Sequence, residues 1–413
     1  MKLMHLADLH LGKRLHSLSL VEDQAYWIEK LLAYINISRP DAVVLAGDVY
    51  DRSDPAKEAV PLLSRLLSGI ADAGIPVLLI AGNHDGGVRL EFLSELLKKE
   101  NIYIAGTVKK ELTRCTFDFH DGYGPVTFYL MPYLFPAAVR EALGLGDDVQ
   151  LSYTDAVRML LEAQPIDTAH RNVLIAHQTV MYADAAPERS GSETAVFIGG
   201  TGAVDASVFH DFDYVALGHL HGAQKVGSDR IRYAGAPLAY HFSEAGQKKG
   251  ALEVALGEKG RLPEIALTEL PVLHRVRPVM RGTAAEITAR ETESTARNEY
   301  VAVQLTERAE PGTREALAAL FSSHGCRLLD ISRAPEEYTP QEADPQREQR
   351  QELTLAEEFL AFYRKRKPFD DPDDKEQALI HFAAERITAI DGADTDALAD
   401  AVAAMALSQE EEI

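Results

Sequence analysis

The sequence predicts a layered α/β fold: a β-sandwich flanked by helices, then a small α+β unit and a C-terminal helical tail. Three observations carry this prediction. Short apolar runs alternate with helical patterns over the first 240 residues. A β-α-β-α-β order of shorter patterns follows over 271–334. A polar, nearly apolar-free stretch at 335–352 then precedes two apolar helical stripes. The expected organisation is a first domain at 1–270, a second at 271–334, a linker at 335–352 and a helical segment at 353–408. A chain of 413 residues suits two or three domains rather than one core.

Composition limits the function classes. Apolar residues are 46% and charged residues 26%, as in soluble globular proteins. No apolar run reaches the length of a membrane span. The opening MKLMHLADLHLGK reads as a first strand and not as a signal peptide. Cys115 and Cys326 are the only two cysteines and fit a reducing cytoplasm better than a disulfide framework. The net charge of −22 argues against a protein coated with a basic nucleic-acid face. Half of that charge lies from Gln341 onward, with 8 Lys and Arg against 19 Asp and Glu.

Five apolar runs end alike. KLMHLAD ends on Asp8, with His10 just beyond, and DAVVLAGD ends on Asp48. PVLLIAGNHD ends on Asn83, His84 and Asp85. NVLIAH ends on His177, and DYVALGH ends on His219, with His221 next but one. Each run is too short for a buried helix and rich in Val, Leu and Ile, so each predicts a buried strand. Between them, EDQAYWIEKLLAYI places Tyr26, Ile28, Leu31, Leu32 and Ile35 near one helical face. LLSRLLSGIADAG does the same with Leu62, Leu63, Leu66, Leu67 and Ile70, and Gly74 suits its C-terminal cap. Pro61 marks either the start of that helix or a kink.

Ligands of such sheets bind at the carboxyl ends of the strands. Taken singly, Asp8 could cap a turn, Asn83 could sit in a left-handed turn, and His177 could be a core histidine. Five coincidences at the same strand position point instead to one joint metal site. The donors are carboxylates, imidazoles and one amide, without thiolate, which excludes an iron–sulfur or structural zinc site. So many histidines disfavour calcium and magnesium; manganese, iron, zinc and cobalt remain. Seven donors are too many for one tetrahedral ion and suit two ions sharing a carboxylate, which can clamp both sides of a phosphoryl displacement.

These motifs, Asp-x-His at 8–10, Gly-Asp at 47–48, Gly-Asn-His-Asp at 82–85, His177 and Gly-His-x-His at 218–221, resemble the calcineurin-like metallophosphoesterases. The resemblance implies that Asp8, His10 and His221 hold one metal, that Asn83, His177 and His219 hold the second, and that Asp48 bridges. It implies a catalytic His84 that contacts the phosphate and assists the leaving group, with Asp85 orienting it or serving only as a turn residue. HLADLHLGK, AGDVYDRSDP and RYAGAPLAYHFSE resemble the nuclease branch in particular. That branch implies two Mn2+ ions, DNA as substrate, 3′→5′ trimming of duplex ends, and cutting of single-stranded or hairpin DNA. It also implies a homodimer within a heterotetramer with an SMC-like ABC ATPase. Archaeal and eukaryotic relatives often carry a histidine where this chain has Asp51 or Arg52; bacterial ones resemble this chain there. A small-molecule or nucleotide phosphodiesterase and a non-catalytic scaffold are the competing readings.

The rest of the chain follows in order. ALEVAL and RLPEIALTEL predict strands that finish the first domain. RVRPVMRG, EYVAVQLTE and CRLLDIS predict strands, and AAEITARETEST and TREALAALFSSH predict helices. Val301, Val303 and Leu305 share one strand face, and Leu317, Leu320 and Phe321 one helix face. By resemblance this unit caps the active-site cleft, with Arg275, Arg277 and Arg281 either contacting phosphate or lining a solvated strand face. Beyond the linker, one stripe holds Leu355, Phe359, Phe362 and Tyr363, and another holds Leu379, Phe382, Ala383 and Ile387. They either fold back on the second domain or dock on the ATPase. No Walker motif occurs, so any ATP use requires such a partner. EFLSELLKK offers Phe92, Leu93, Leu96 and Leu97 either to a second copy or to the sheet beneath.

Overall fold

The computed structural model describes residues 1–334 other than 120, 184–186, 189 and 192–201. The linker at 335–352 and the helical segment at 353–408 therefore lie outside the described residues. The first elements in chain order are β1 (Lys2–Leu6), α1 (Val21–Ser38), β2 (Ala42–Ala46), α2 (Val60–Asp72), β3 (Val77–Ile80) and β4 (Ile102–Ala105). The four strands pair in parallel and in that order. Next come β5 (Thr113–Phe117), β6 (Val126–Met131), α3 (Pro136–Leu143), α4 (Tyr153–Glu162), β7 (Arg171–His177), β8 (Tyr214–Gly218), β9 (Gln224–Val226) and β10 (Ser228–Tyr233). They build a second six-stranded sheet, in the order β9-β10-β8-β7-β6-β5. The chain then returns to the first sheet: β11 (Ala251–Ala255) pairs antiparallel with β1, and β12 (Glu264–Thr268) pairs with β11.

The two sheets face each other, which explains the unbroken apolar runs. Alternate residues of each strand enter different cores. Leu3, Val44, Leu78, Val173, Ile175, Tyr214 and Ala216 fill the space between the sheets. Met4, Leu45 and Leu79 point outward to meet α1 and α2. Leu174, Val215 and Leu217 point outward to meet α4. Both faces of β1, β2, β3, β7 and β8 are thus buried, so no polar alternation appears. On α1 the buried stripe is Trp27, Ile28, Leu31 and Ile35, with Tyr26 and Leu32 only partly covered. Pro61 stands in the first turn of α2, where its missing N–H has no partner to lose.

The last described unit comprises β13 (Arg275–Val276), β14 (Met280–Gly282), α5 (Ala284–Thr292), β15 (Glu299–Leu305), α6 (Thr313–Ser323) and β16 (Arg327–Arg333). The single strand expected from RVRPVMRG is broken at Pro278 into β13 and β14, which pair in turn with the same edge of β15. Pairing is parallel throughout, with β16 on the other edge. Val301, Val303 and Leu305 pack with Ile287, Leu317 and Phe321 under the two helices. From the opposite face, Tyr300 and Ala302 join the core of the first sheet. No helix among the described residues is long and apolar enough to cross a membrane.

Candidate metal centre

Five strand ends deliver the polar residues, and the loops that carry them are bent. Asp8, His10, Asp48 and His219 all take positive φ, at 53°, 41°, 48° and 105°. Each such position costs about 1–3 kcal/mol in a residue with a Cβ. Close approach between the strand ends requires glycine beside them. A Cβ on Gly218 would lie 2.0 Å from the Ala46 carbonyl oxygen, and one on Gly82 would lie 2.1 Å from Asp48 Oδ1.

The seven donors expected from the sequence converge. Asp8, His10 and His221 bring ligand atoms within 4.8 Å of one another, and so do Asp8, Asp48 and His177. Asn83 Oδ1 lies 3.1 Å from His177 Nε2 and 3.0 Å from His219 Nδ1. Asp48 Oδ2 lies between the two sets, 3.5 Å from His10 Nε2 and 3.3 Å from His177 Nε2. Asp8 also accepts the amide of His219 through both carboxylate oxygens, at 2.9 and 3.2 Å.

The fit to cations follows from where hydrogens can sit. His177 Nδ1 donates to the Ala46 carbonyl at 2.8 Å, because a carbonyl only accepts. In the neutral ring, Nε2 then carries a lone pair, aimed at Asp48 Oδ2 and Asn83 Oδ1. His221 repeats this on the other side: Nδ1 lies 3.1 Å from the Glu244 carboxylate, and Nε2 faces His10 Nε2 at 3.1 Å. Lone pairs gathered in a buried site call for positive charge among them. Burial raises Asp8, to about 7. Burial also acts upward on Asp48, yet His177 and the other imidazoles outweigh it and hold it low. Burial lowers His10, whereas on His177 the Asp48 carboxylate overcomes burial and raises the ring. Two divalent ions fit the donor set.

His84 is placed differently. Its backbone N–H donates to Asp48 Oδ1 at 2.9 Å, and its Nδ1 donates to the Asp51 carbonyl at 2.9 Å. Its ring stands edge-on to His10 at 4.8 Å between centroids. Geometry alone also groups His84 with His10 and Asp48. Asp85 corrects the expectation that it orients the His84 ring. Its carboxylate accepts the amides of Val49, Tyr50 and Gly82 at 3.0, 2.8 and 2.9 Å, stapling the β2 and β3 end loops together. The ring is held by the Asp51 carbonyl instead.

Donor chemistry, strand position and tautomer all fit a known family. A family model described as calcineurin-like phosphoesterase matches residues 1–223. The chain belongs to that family. It is a metal-dependent phosphoester hydrolase. Solved structures similar to this phosphoesterase include TT1561 of Thermus thermophilus, at 13% identity, covering 64% of this chain and 98% of that one with a TM-score of 0.35. GAP50, the anchor in the inner membrane complex of Plasmodium, is 12% identical, with 66% and 89% covered and a TM-score of 0.37. A dimetal phosphatase from Danio rerio is 11% identical, with 65% and 98% covered and a TM-score of 0.36. At these identities and scores they add nothing to the family match.

Several residues of the phosphoesterase site were not among those expected. Glu244 is fully buried and holds His221. Asp51 contributes its carbonyl to His84, and its carboxylate lies 2.7 Å from Lys13. Tyr133 stacks beside His219 at 6.4 Å and stands edge-on to His177 at 6.1 Å, walling the second donor set. Of the three arginines considered for phosphate contact, Arg277 is engaged by Glu291 and Glu299 inside its own unit. Arg275 and Arg281 are exposed.

Proposed function

We propose that this chain is a two-metal DNA phosphodiesterase, the nuclease subunit of an SbcCD-type end-processing complex, with motifs similar to those of SbcD. The observation that carries the phosphodiesterase part is the convergence of seven donors from five strand ends, with one Asp48 oxygen facing both sets. Support for the nuclease part is the sequence of the segments around it, HLADLHLGK, AGDVYDRSDP and RYAGAPLAYHFSE.

Asp8, His10 and His221 would hold one Mn2+, and Asn83, His177 and His219 the other, with Asp48 between them. Two such ions supply Lewis acidity and an activated water for in-line attack on phosphorus. The chain's own groups do the rest. The Asp51 carbonyl keeps a hydrogen on His84 Nδ1, so Nε2 is the nitrogen that holds or releases a proton. In its protonated form His84 gives that proton to the departing oxygen. Glu244 keeps His221 Nε2 bare, and the Ala46 carbonyl does the same for His177.

ATP dependence would come from an SMC-like ABC ATPase of the SbcC type, docked on the helical segment at 353–408. The purified chain, with Mn2+, should release nucleotides from linear duplex DNA, and with that ATPase the cutting should depend on ATP. Hydrolysis confined to mononucleotide or cyclic diesters would favour a small-molecule phosphodiesterase. Partner binding with no hydrolysis of any diester would favour a scaffold.

A further inference from the structure

Two consecutive residues at the start of α1 serve different neighbours. Asp23 and Gln24 are buried, at 3% and 2% exposure. An acid in the first turn of a helix is common for electrostatic reasons, but such acids usually face water. Asp23 instead turns toward the 275–333 unit. One carboxylate oxygen lies 3.0 Å from His274 Nδ1, and the other accepts the Tyr300 hydroxyl at 2.7 Å. Tyr300 and His274 also meet each other at 2.9 Å.

Gln24 turns toward the loop after β1. Its Nε2 donates to the carbonyls of His10 and Leu9 at 2.8 and 3.3 Å, and its Oε1 accepts the Gly12 amide at 2.9 Å. The Tyr240 hydroxyl braces the same Leu9 carbonyl. The side chain of Gln24 thus grips both flanks of His10, a donor with a bent backbone. Successive helical residues point about 100° apart, which lets neighbours serve two different structures.

A cavity of about 450 Å³ lies beside this contact, with Asp23, Glu244, Lys249, His274, Arg275 and Tyr300 among its lining residues. A fully packed seam transmits strain but does not shift. Here the 275–333 unit has open space beside its polar contact with α1.

We propose that Asp23 and Gln24 form a latch that carries the seating of the 275–333 unit to the main chain at His10, so that this seating sets the affinity of the metal position His10 serves. Both are positioning residues. The proposal rests on the metal reading above.

The test uses the full chain, stripped of metal and titrated calorimetrically with Mn2+. Tyr300→Phe removes the hydroxyl from Asp23 and touches no metal donor. It should weaken one of the two Mn2+ sites several-fold and leave the other unchanged. Gln24→Met should weaken the same site roughly tenfold, the usual scale for a residue supporting a ligand. The double variant should match Gln24→Met alone, because the two act in series. Hydrogen exchange of the Leu11 and Gly12 amides, measured without any cation, should be faster in Tyr300→Phe. His274→Gln probes the same side should Tyr300→Phe not fold. A lower melting temperature in Tyr300→Phe with wild-type Mn2+ affinities and wild-type exchange at residues 10–13 overturns the latch. Additive effects in the double variant overturn it as well. If the wild-type chain binds no Mn2+, the metal reading falls, and the cation-free exchange decides the latch alone.

Discussion

Glu244 Oε1 lies 3.1 Å from His221 Nδ1, with both side chains buried, and Lys249 holds the other Glu244 oxygen at 2.6 Å. The carboxylate fixes the hydrogen on Nδ1 and leaves Nε2 to face His10. Glu244→Gln should therefore lower the affinity of one divalent site by about 10–100-fold. Elemental analysis after dialysis should show one metal retained where the wild type retains two. A variant that keeps both metals at wild-type affinity would remove Glu244 from the site.

Asp48→Ala should empty both positions, since Asp48 Oδ2 faces His10 and His177 alike. His10→Ala should empty one. Equal metal content in the two variants, with both folded by circular dichroism, would contradict a bridging role.

His84→Ser removes the ring that the Asp51 carbonyl positions and removes no donor of the two sets. Metal content and DNA affinity should stay at wild-type values while turnover falls by about 10²–10⁴-fold. Stoichiometric loss of metal would instead make His84 a ligand, as its proximity to His10 and Asp48 permits.

Val88, Phe92, Leu93 and Leu96 are exposed at 79%, 73%, 53% and 54%, so they do not serve to cover the sheet; Leu97 packs inward. Large apolar side chains exposed this close together in sequence are candidates for an interaction surface. The expected occupant is a second copy, with Phe92→Asp converting a dimer to a monomer in light scattering. A wild-type monomer at tens of micromolar, alone and with the proposed SbcC-type ATPase, would end that expectation.

Arg171 is buried at the start of β7 and pairs through both terminal nitrogens with Asp121, at 2.6 and 2.8 Å. That pairing holds the Asp121 carboxyl well below its ordinary range. The sign follows: a depressed acid contributes stability above its unfolded value, and that contribution is lost as pH falls through the folded value. Asp121→Asn should destabilise by about 1.5–3 kcal/mol at neutral pH, by leaving the buried guanidinium with only the carbonyls of Gly124, Leu256 and Gly257 as partners. Thermal melts should converge for wild type and variant only in strong acid. A difference independent of pH would exclude the ion pair as its cause.

The strand ends were legible because burial on both faces of the sandwich leaves unbroken apolar runs, and because ligand side chains are chemically distinctive. His5 shows the limit of that signal. It lies in the first of those runs, but it is a core histidine, buried between the sheets and 2.9 Å from the Tyr214 hydroxyl. Trp27 displaced Tyr26 from the helical face expected to be buried because neighbouring positions differ by only about 100° and the sheet decides the rotation. Glu244, Gln24 and Tyr133 act through contacts with residues distant in sequence, and local pattern says nothing of those. The hold on His84 comes from a backbone carbonyl, which every residue possesses. Asp85 was visible as a residue but not as a staple, since its partners are amides.

The bent donors place two selective demands on the same positions. At Asp8, His10, Asp48 and His219 the backbone favours glycine, while the proposed metal centre calls for a carboxylate or an imidazole. A chain that exchanged one of these donors for glycine would lose a ligand and relax its loop. At Asp8 and Asp48 the same exchange would also strip the His219 and His84 amides of their carboxylate acceptors. The proposed hydrolysis is thus a second demand on these four residues, set against the backbone's preference for glycine.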